Sequence, residues 1–237
     1  MMYAKDISED EARSLTASMK GSLQSFEVFP GVRLQGAYDP EGIWNMLAID
    51  QACAGKRVLE IGPAQGYFTK RLTEAGADVT AMDYRTKEES GFWLMERLSG
   101  HEFKYVQGNV LDEAMMSSLG VFDIVILMGV LYHLPDPFKA LDNCRSACRG
   151  TLILETLCDA ELPPNVPAAR YFASNSKGGD WTNFWAPNRA CLEGMLLDTG
   201  FAVSRFNAWG DRILMVGDVI DHVHGRLKAD IVYSYRR

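Results

Sequence analysis

Between residues 57 and 157 the apolar positions come in short runs, each followed by a stretch with helical spacing. RVLEIG (57–62), DVTAMD (78–83), FKYVQG (103–108), FDIVILMG (122–129) and TLILETL (151–157) have the length and apolar density of strands covered on both faces. FTKRLTEA, SGFWLMERL, DEAMMSSL and DPFKALDNCRSAC lie between them, with apolar residues recurring three and four apart. The alternation predicts an α/β chain, doubly wound about a mostly parallel sheet. FAVSRFNAW and RILMVGDV, near the end, are separated only by Gly210-Asp211. That leaves no room for a crossover helix, so a C-terminal antiparallel hairpin is expected.

Before the sheet, Ser8-Glu9-Asp10-Glu11 has the form of a capping box, followed by Ala12, Leu15 and Met19 at helical spacing. FPGVRLQGAYDPEG reads as a loop. Asp39-Pro40 reads as the start of a second helix carrying Ile43, Met46, Leu47 and Ala48, closed by Gly55. The expected organisation is an N-terminal helical extension over 1–55, a main domain over 56–220 and a tail over 221–237. Within the main domain, residues 158–186 are rich in Pro, Gly and aromatic residues without a period, a long insertion of the kind that carries function. A helix is predicted from Pro187 to Thr199, stopped by Gly200.

Composition changes this picture little. The formal charge of −7 argues against a broad nucleic-acid footprint. The five cysteines have no C-x-x-C spacing, and Cys144 and Cys148 are expected on one face of a helix as buried thiols. His222 and His224 are too sparse for a metal site, and no metal is expected. No apolar leader or membrane-length run is present, so the chain is expected to be soluble and cytoplasmic.

Ligands of open parallel sheets sit beyond the carboxyl ends of the strands. Here those ends carry Glu60 with Gly62 and Gly66, then Asp83, then Asn109, then Met128-Gly129. The glycines admit close backbone approach, and the following helix start offers N–H groups to an anion. Asp83, 17 residues after Gly66, suits two ribose hydroxyls, and the Asn109 amide suits an adenine edge. A dinucleotide needs G-x-G-x-x-G, but the run from Gly62 is G-P-A-Q-G-Y, which fails at Ala64 and Tyr67. What remains fits a cofactor with a ribose and no pyrophosphate.

These residues resemble the class I S-adenosylmethionine-dependent methyltransferases, from about residue 57 to 220. The resemblance rests on EIGPAQG, VTAMD, FDIVILMGVLYHLPDP and the terminal hairpin, and implies a Rossmann-like methyltransferase fold with S-adenosyl-L-methionine as cofactor. By it Glu60, Gly62 and Gly66 border the methionine part, Asp83 the ribose, and Asn109 and Val110 the adenine, with Ala64 and Tyr84 also among the cofactor-binding residues. Ala64 stands where the family usually has glycine, and Asn109 where aspartate is commoner. MGVLYHLPDPFKALDNCRSACRGTLILET and WTNFWAPNRACLEGMLLDTGF are similar to a narrower branch. That branch holds the tRNA wobble-uridine carboxymethyltransferases and related natural-product and glycan methyltransferases, and by it Met128 and Tyr132 line the cofactor pocket. The branch's RNA enzymes carry a lysine upstream of the glycine loop, whereas LQGAYDPEGIWNMLAID offers Trp44 and no lysine.

Methyl transfer needs an aligned nucleophile, a proton acceptor where the nucleophile carries a proton, and shielding of a sulfonium. Tyr67, Tyr132, Trp181 and Trp185 are candidate aromatic faces for that cation. His133 is a candidate base or a brace of its turn, and Glu155 a candidate to position the acceptor or a capped strand end. RYFASNSKGGDWTNFWAPN reads as a substrate lid hinged at Gly178-Gly179, with Arg170, Tyr171, Trp181, Asn183 and Trp185 facing the acceptor.

The expected activity is methyl transfer to oxygen or nitrogen of a small-molecule acceptor of natural-product or glycan type. Two alternatives stay open: carboxymethyl or methyl transfer to tRNA, and a non-catalytic scaffold that keeps the cofactor fold. The N-terminal helices are expected either to cover the cleft or to build a homodimer.

Overall fold

The computed structural model describes residues 2–49 and 51–220. His222, His224 and the tail expected over 221–237 lie outside the described residues. The chain divides into two compact units, residues 1–109 with 122–124, and 110–121 with 125 onward.

The first unit begins with helix α1 (Glu9–Ser18), whose N-cap Ser8 accepts from the Glu11 N–H at 3.2 Å. The stretch read as a loop is in fact a hairpin, β1 (Phe26–Phe29) with β2 (Val32–Leu34), paired antiparallel around Pro30-Gly31. Helix α2 (Glu41–Leu47) stops well before Gly55, because Ala48 adopts φ 49° and ends it there. Three parallel strands follow, β3 (Arg57–Ile61), β4 (Asp78–Asp83) and β5 (Lys104–Gln107). Helix α3 (Tyr67–Glu74) connects the first two of them. Between β4 and β5 the helix expected from SGFWLMERL is α5 (Phe92–Ser99), and a short helix that the pattern did not show, α4 (Lys87–Ser90), precedes it. They break at Gly91, whose φ of 77° no continuous helix accommodates.

Ala81, Phe92, Met95 and Phe103 form a buried cluster under these helices, with Met2 and Tyr105 against it. The first 55 residues do not stand apart from this core. The Ala4 N–H donates to the Leu98 carbonyl at 2.9 Å, and Arg97 on α5 pairs with Asp6 and Glu11.

The second unit holds α6 (Glu113–Ser118), the end of β6 (Phe122–Met128), a 3-10 turn (Leu131–His133) and α7 (Pro137–Ala147). β7 (Cys148–Leu157) starts three residues before the expected Thr151. Cys144 therefore lies in α7 and Cys148 opens a strand, both buried, so they do not share a helix face. In the insertion, β8 (Ala169–Tyr171) pairs antiparallel with β9 (Trp185–Pro187). Helix α8 (Arg189–Asp198) starts at Asn188, whose Oδ1 accepts from the Cys191 N–H at 2.8 Å. The expected hairpin is β10 (Phe201–Trp209) with β11 (Arg212–Val219), and β11 also pairs antiparallel with β7. The strand order of the seven-stranded sheet is β10-β11-β7-β6-β3-β4-β5, mostly parallel with an antiparallel end. Among the described residues no helix is long and apolar enough to cross a membrane.

Candidate functional site

In the first unit the chemistry gathers at the carboxyl ends of β3 and β4. Beyond Ile61 the chain passes through three left-handed residues, Gly62 (φ 76°), Ala64 (φ 50°) and Gly66 (φ 85°). A Cβ on Gly66 would come within 2.4 Å of the Met95 Cε and 2.9 Å of the Phe92 ring, so this position is closed to other residues. Gln65 anchors the loop from inside. Its Oε1 accepts from the Leu23 and Gln24 N–H groups at 3.0 and 3.1 Å, and its amide donates to the Ser90 carbonyl at 2.8 Å.

Glu60 is buried, and its carboxylate accepts from the Thr69 hydroxyl. Burial pushes its pKa up to about 7 against the pull of that hydrogen bond, with Asp83's charge adding to the rise. Such a carboxyl suits a nearby cation, which would restore its ionised form. Asp83 is buried too, and Arg85 already holds it. Oδ1 accepts from the Arg85 N–H at 3.0 Å and its Nε at 3.2 Å, and Oδ2 from Nη2 at 2.9 Å. Three of roughly four acceptor positions on the carboxylate are taken, so a ribose diol has to displace part of this grip.

The start of α3 is less open than expected. The Tyr67 N–H donates to Gln24 Oε1 at 3.1 Å, and the Gly66 N–H to the Pro63 carbonyl at 2.9 Å. Tyr67 itself is a core residue. Its ring centroid lies 5.2 Å from Phe26 and 5.1 Å from Phe68, both edge-on, and its hydroxyl donates to Glu41. Tyr84 is exposed under the Arg85 guanidinium, which sits 5.5 Å from the ring centroid. Asn109 is exposed and falls two residues beyond the last residue of β5.

In the second unit Val110 is buried, and its carbonyl accepts from the Asn143 amide at 2.7 Å. Met128 ends β6, and the 3-10 turn then presents Tyr132 and His133 with ring centroids 3.9 Å apart. Glu155 is buried on β7. Arg212 holds both its oxygens, with Nη2 2.6 Å from Oε2, and the Gly129 N–H reaches Oε2 at 3.0 Å. The same guanidinium lies 4.7 Å from the Tyr132 ring centroid. His133 Nδ1 is 3.0 Å from the Thr182 carbonyl oxygen, which accepts only, so Nδ1 carries the proton and Nε2 the lone pair of the neutral ring. The Thr182 hydroxyl lies 2.9 Å from the same Nδ1 and donates to Asp180 at 2.7 Å.

The insertion residues do not converge. Arg170 pairs with Asp159 and Glu161 and lines a cavity of about 310 Å³ with Lys177 and Asp211, themselves paired at 2.9 Å. Trp181 is 68% exposed. Tyr171 is exposed against Trp185 at 5.1 Å, and Asn183 donates to the Lys177 carbonyl at 3.3 Å. Trp185 and Tyr132 line a second, apolar cavity. Sequence reasoning missed Gln24, Arg85, Thr156 and Arg212. Only Thr156 left a signal, as a hydroxyl inside the apolar run TLILETL.

A family profile described as a methyltransferase domain matches residues 43–205. A tRNA U34 carboxymethyltransferase from Ectopseudomonas mendocina is 32% identical over 200 residues, covering 78% of this chain and 59% of the relative. The ubiquinone biosynthesis O-methyltransferase of Actinobacillus pleuropneumoniae is 28% identical over 139 residues, covering 52% of this chain and 57% of that one. The chain thus spans about three fifths of the length of these relatives. Among solved structures, the N-terminal domain of EvdMO1 with SAH bound matches with a TM-score of 0.66 at 20% identity, over 90% of this chain and 98% of that one. A Burkholderia thailandensis 1,6-didemethyltoxoflavin-N1-methyltransferase matches with a TM-score of 0.53 at 16% identity, over 76% and 82%. These two share the fold.

Proposed function

Because the chain belongs to the methyltransferase-domain family, with the fold of the class I S-adenosylmethionine-dependent enzymes, we propose that it transfers a methyl group from that cofactor to oxygen or nitrogen of a small-molecule acceptor. The carrying observation is the left-handed turn Gly62-Ala64-Gly66 between two buried carboxyl groups, Glu60 and Asp83. A near-neutral Glu60 suits the cationic methionine end, and Asp83 suits the ribose once Arg85 yields. The cofactor supplies a methyl group on a sulfonium. This chain's residues orient the acceptor, exclude water and, where the acceptor carries a proton, receive it. His133 Nε2 is the group for that last step, held in its tautomer by Thr182. Val110, Met128 and Tyr132 enter the proposal on the resemblance alone.

The small acceptor is favoured because the cations of the insertion and its neighbours are spent on internal partners. Arg170 goes to Asp159 and Glu161, Lys177 to Asp211, and Arg212 to Glu155. That leaves little positive charge there to hold a polyphosphate chain.

A second reading, carboxymethyl transfer to tRNA, draws on the 32% identical relative and on the Arg212 guanidinium against the Tyr132 ring. On that reading a carboxylated cofactor competes with Glu155 for Arg212. Calorimetry with S-adenosylmethionine, its carboxylated derivative and tRNA separates the two. Equal affinity for the two cofactors and no salt-dependent tRNA binding support the first. A preference for the carboxylated form supports the second. Binding of neither cofactor overturns both.

A further inference from the structure

The Thr182 side chain stands between two titratable groups of the second unit, His133 on the 3-10 turn and Asp180 in the insertion. Its hydroxyl lies 2.7 Å from Asp180 Oδ1 and 2.9 Å from His133 Nδ1. The Thr182 N–H donates to the same Oδ1, at 2.8 Å. An ionised carboxylate only accepts, so the single hydroxyl proton goes to Asp180. Toward His133 the hydroxyl oxygen is left as an acceptor, and Nδ1 has to donate to it. The Thr182 carbonyl, 3.0 Å from Nδ1, imposes the same tautomer by a separate route.

The two routes differ in charge. The carbonyl fixes where the proton sits and is itself neutral. The hydroxyl connects the ring to a full negative charge two hydrogen bonds away, and its donation to Asp180 strengthens it as an acceptor. The Thr182 hydroxyl and then its N–H hold the Asp180 carboxyl below the usual carboxylate range, with the charge of His133 adding to the pull. Charged side chains on the neighbouring elements are engaged elsewhere. Arg212 of β11, on the adjacent Tyr132 ring, grips Glu155 of β7, and Lys177 of the insertion pairs with Asp211. Asp136 caps α7 by accepting from the Lys139 N–H at 3.0 Å, and the Lys139 ammonium pairs with Glu113 of α6.

We propose that Asp180 is a positioning residue: through the Thr182 hydroxyl it fixes the Nδ1–H tautomer of His133 and raises the affinity of Nε2 for a proton. No proton passes to Asp180. When Nε2 takes one, the ring becomes an imidazolium whose charge the carboxylate stabilises. The use of that affinity rests on the methyltransferase reading, in which the proton comes from the acceptor, and it makes the insertion a working part of the base.

The test is a nuclear magnetic resonance titration of His133 in the full chain, its signals assigned by their loss in His133→Gln. Asp180→Asn keeps an oxygen that accepts from both Thr182 groups, so it removes the charge and leaves the turn. It is expected to lower the His133 pKa by about half a unit, the effect of one charge across two hydrogen bonds in a solvated site. Thr182→Val is expected to give a similar drop, and Thr182→Ser to restore the parent value. The ring-nitrogen shifts of the neutral form are expected to place the proton on Nδ1. An unchanged pKa in Asp180→Asn, or a proton on Nε2 of the neutral ring in the unaltered chain, overturns the relay. Binding of S-adenosylhomocysteine to the unaltered chain is read separately: its absence overturns the methyltransferase reading, while the titration still judges the relay.

Discussion

Arg212 of β11 grips Glu155 of β7 with two guanidinium nitrogens while its face lies on the Tyr132 ring, so one cation joins the last hairpin, the fifth strand of the α/β alternation and the turn after β6. Glu155 is 4% exposed. Removing Arg212 leaves a buried carboxylate with, among the described residues, only the Gly129 N–H, a change that costs about 3–5 kcal/mol in comparable pairs. Arg212→Met is expected to destabilise by that amount in urea unfolding. Arg212→Met with Glu155→Leu is expected to recover most of it, because the apolar pair leaves no stranded charge.

Glu60 ties stability to pH. Its pKa is raised from 4.5 to about 7, so the folded state holds the proton more tightly than the unfolded chain does. The associated stability is fully present below pH 4.5 and is lost as pH rises through about 7. The loss amounts to about 3 kcal/mol at most, at 1.36 kcal/mol per unit. Urea midpoints between pH 5 and 8 are expected to fall, and Glu60→Gln is expected to flatten that slope. A bound cation beside Glu60 reverses the preference, so cofactor binding near neutral pH is expected to release a proton, measurable by calorimetry in buffers of different ionisation heat.

Two small residues of the same turn are expected to respond in opposite ways. Gly66→Ala combines a left-handed backbone with a Cβ 2.4 Å from the Met95 Cε, and is expected to cost about 2–4 kcal/mol in strain and overpacking. Ala64→Gly relieves φ 50° at the cost of a looser unfolded chain, and is expected to stay within about 1 kcal/mol of the parent. Equal losses for both would refute the backbone argument.

Arg85 guards Asp83. Arg85→Gln is expected to lower the stability of the ligand-free chain by about 1–2 kcal/mol, since it weakens a charge-assisted pair that is partly solvent-exposed. It is expected to tighten S-adenosylhomocysteine binding severalfold, because the ribose no longer competes for the carboxylate. Weaker binding in the variant would mean that Arg85 works with Asp83 rather than against the ligand.

The parts of this chain that repeat with a period were legible before the structure. The strands ending at Ile61, Asp83 and Met128 were legible because the apolar density of their runs fits only a sheet covered on both faces. The terminal hairpin was legible because two intervening residues exclude every other connection. The β1–β2 hairpin escaped notice although FEVF and VRL flank a Pro-Gly turn, because a strand of three or four residues carries too few positions to show alternation. The positions of candidate residues in the fold were legible where a strand end fixes their place. They were not where a partner arrives from distant sequence, as Arg212 does to Glu155 across 57 positions and Gln24 to Tyr67 across 43.

The insertion over 158–186 is fastened to the turn after β6 by the Phe184 N–H on the Tyr132 carbonyl at 2.8 Å and by Thr182 on His133. Two stitches so close in sequence make the segment an exchangeable cassette. Its outer residues can drift, or be grafted from another chain, while positions 182 and 184 keep the join. A library that randomises residues 173–179 and keeps both stitches, together with Asp180, which accepts from the Thr182 N–H and hydroxyl, is therefore expected to keep the segment in place.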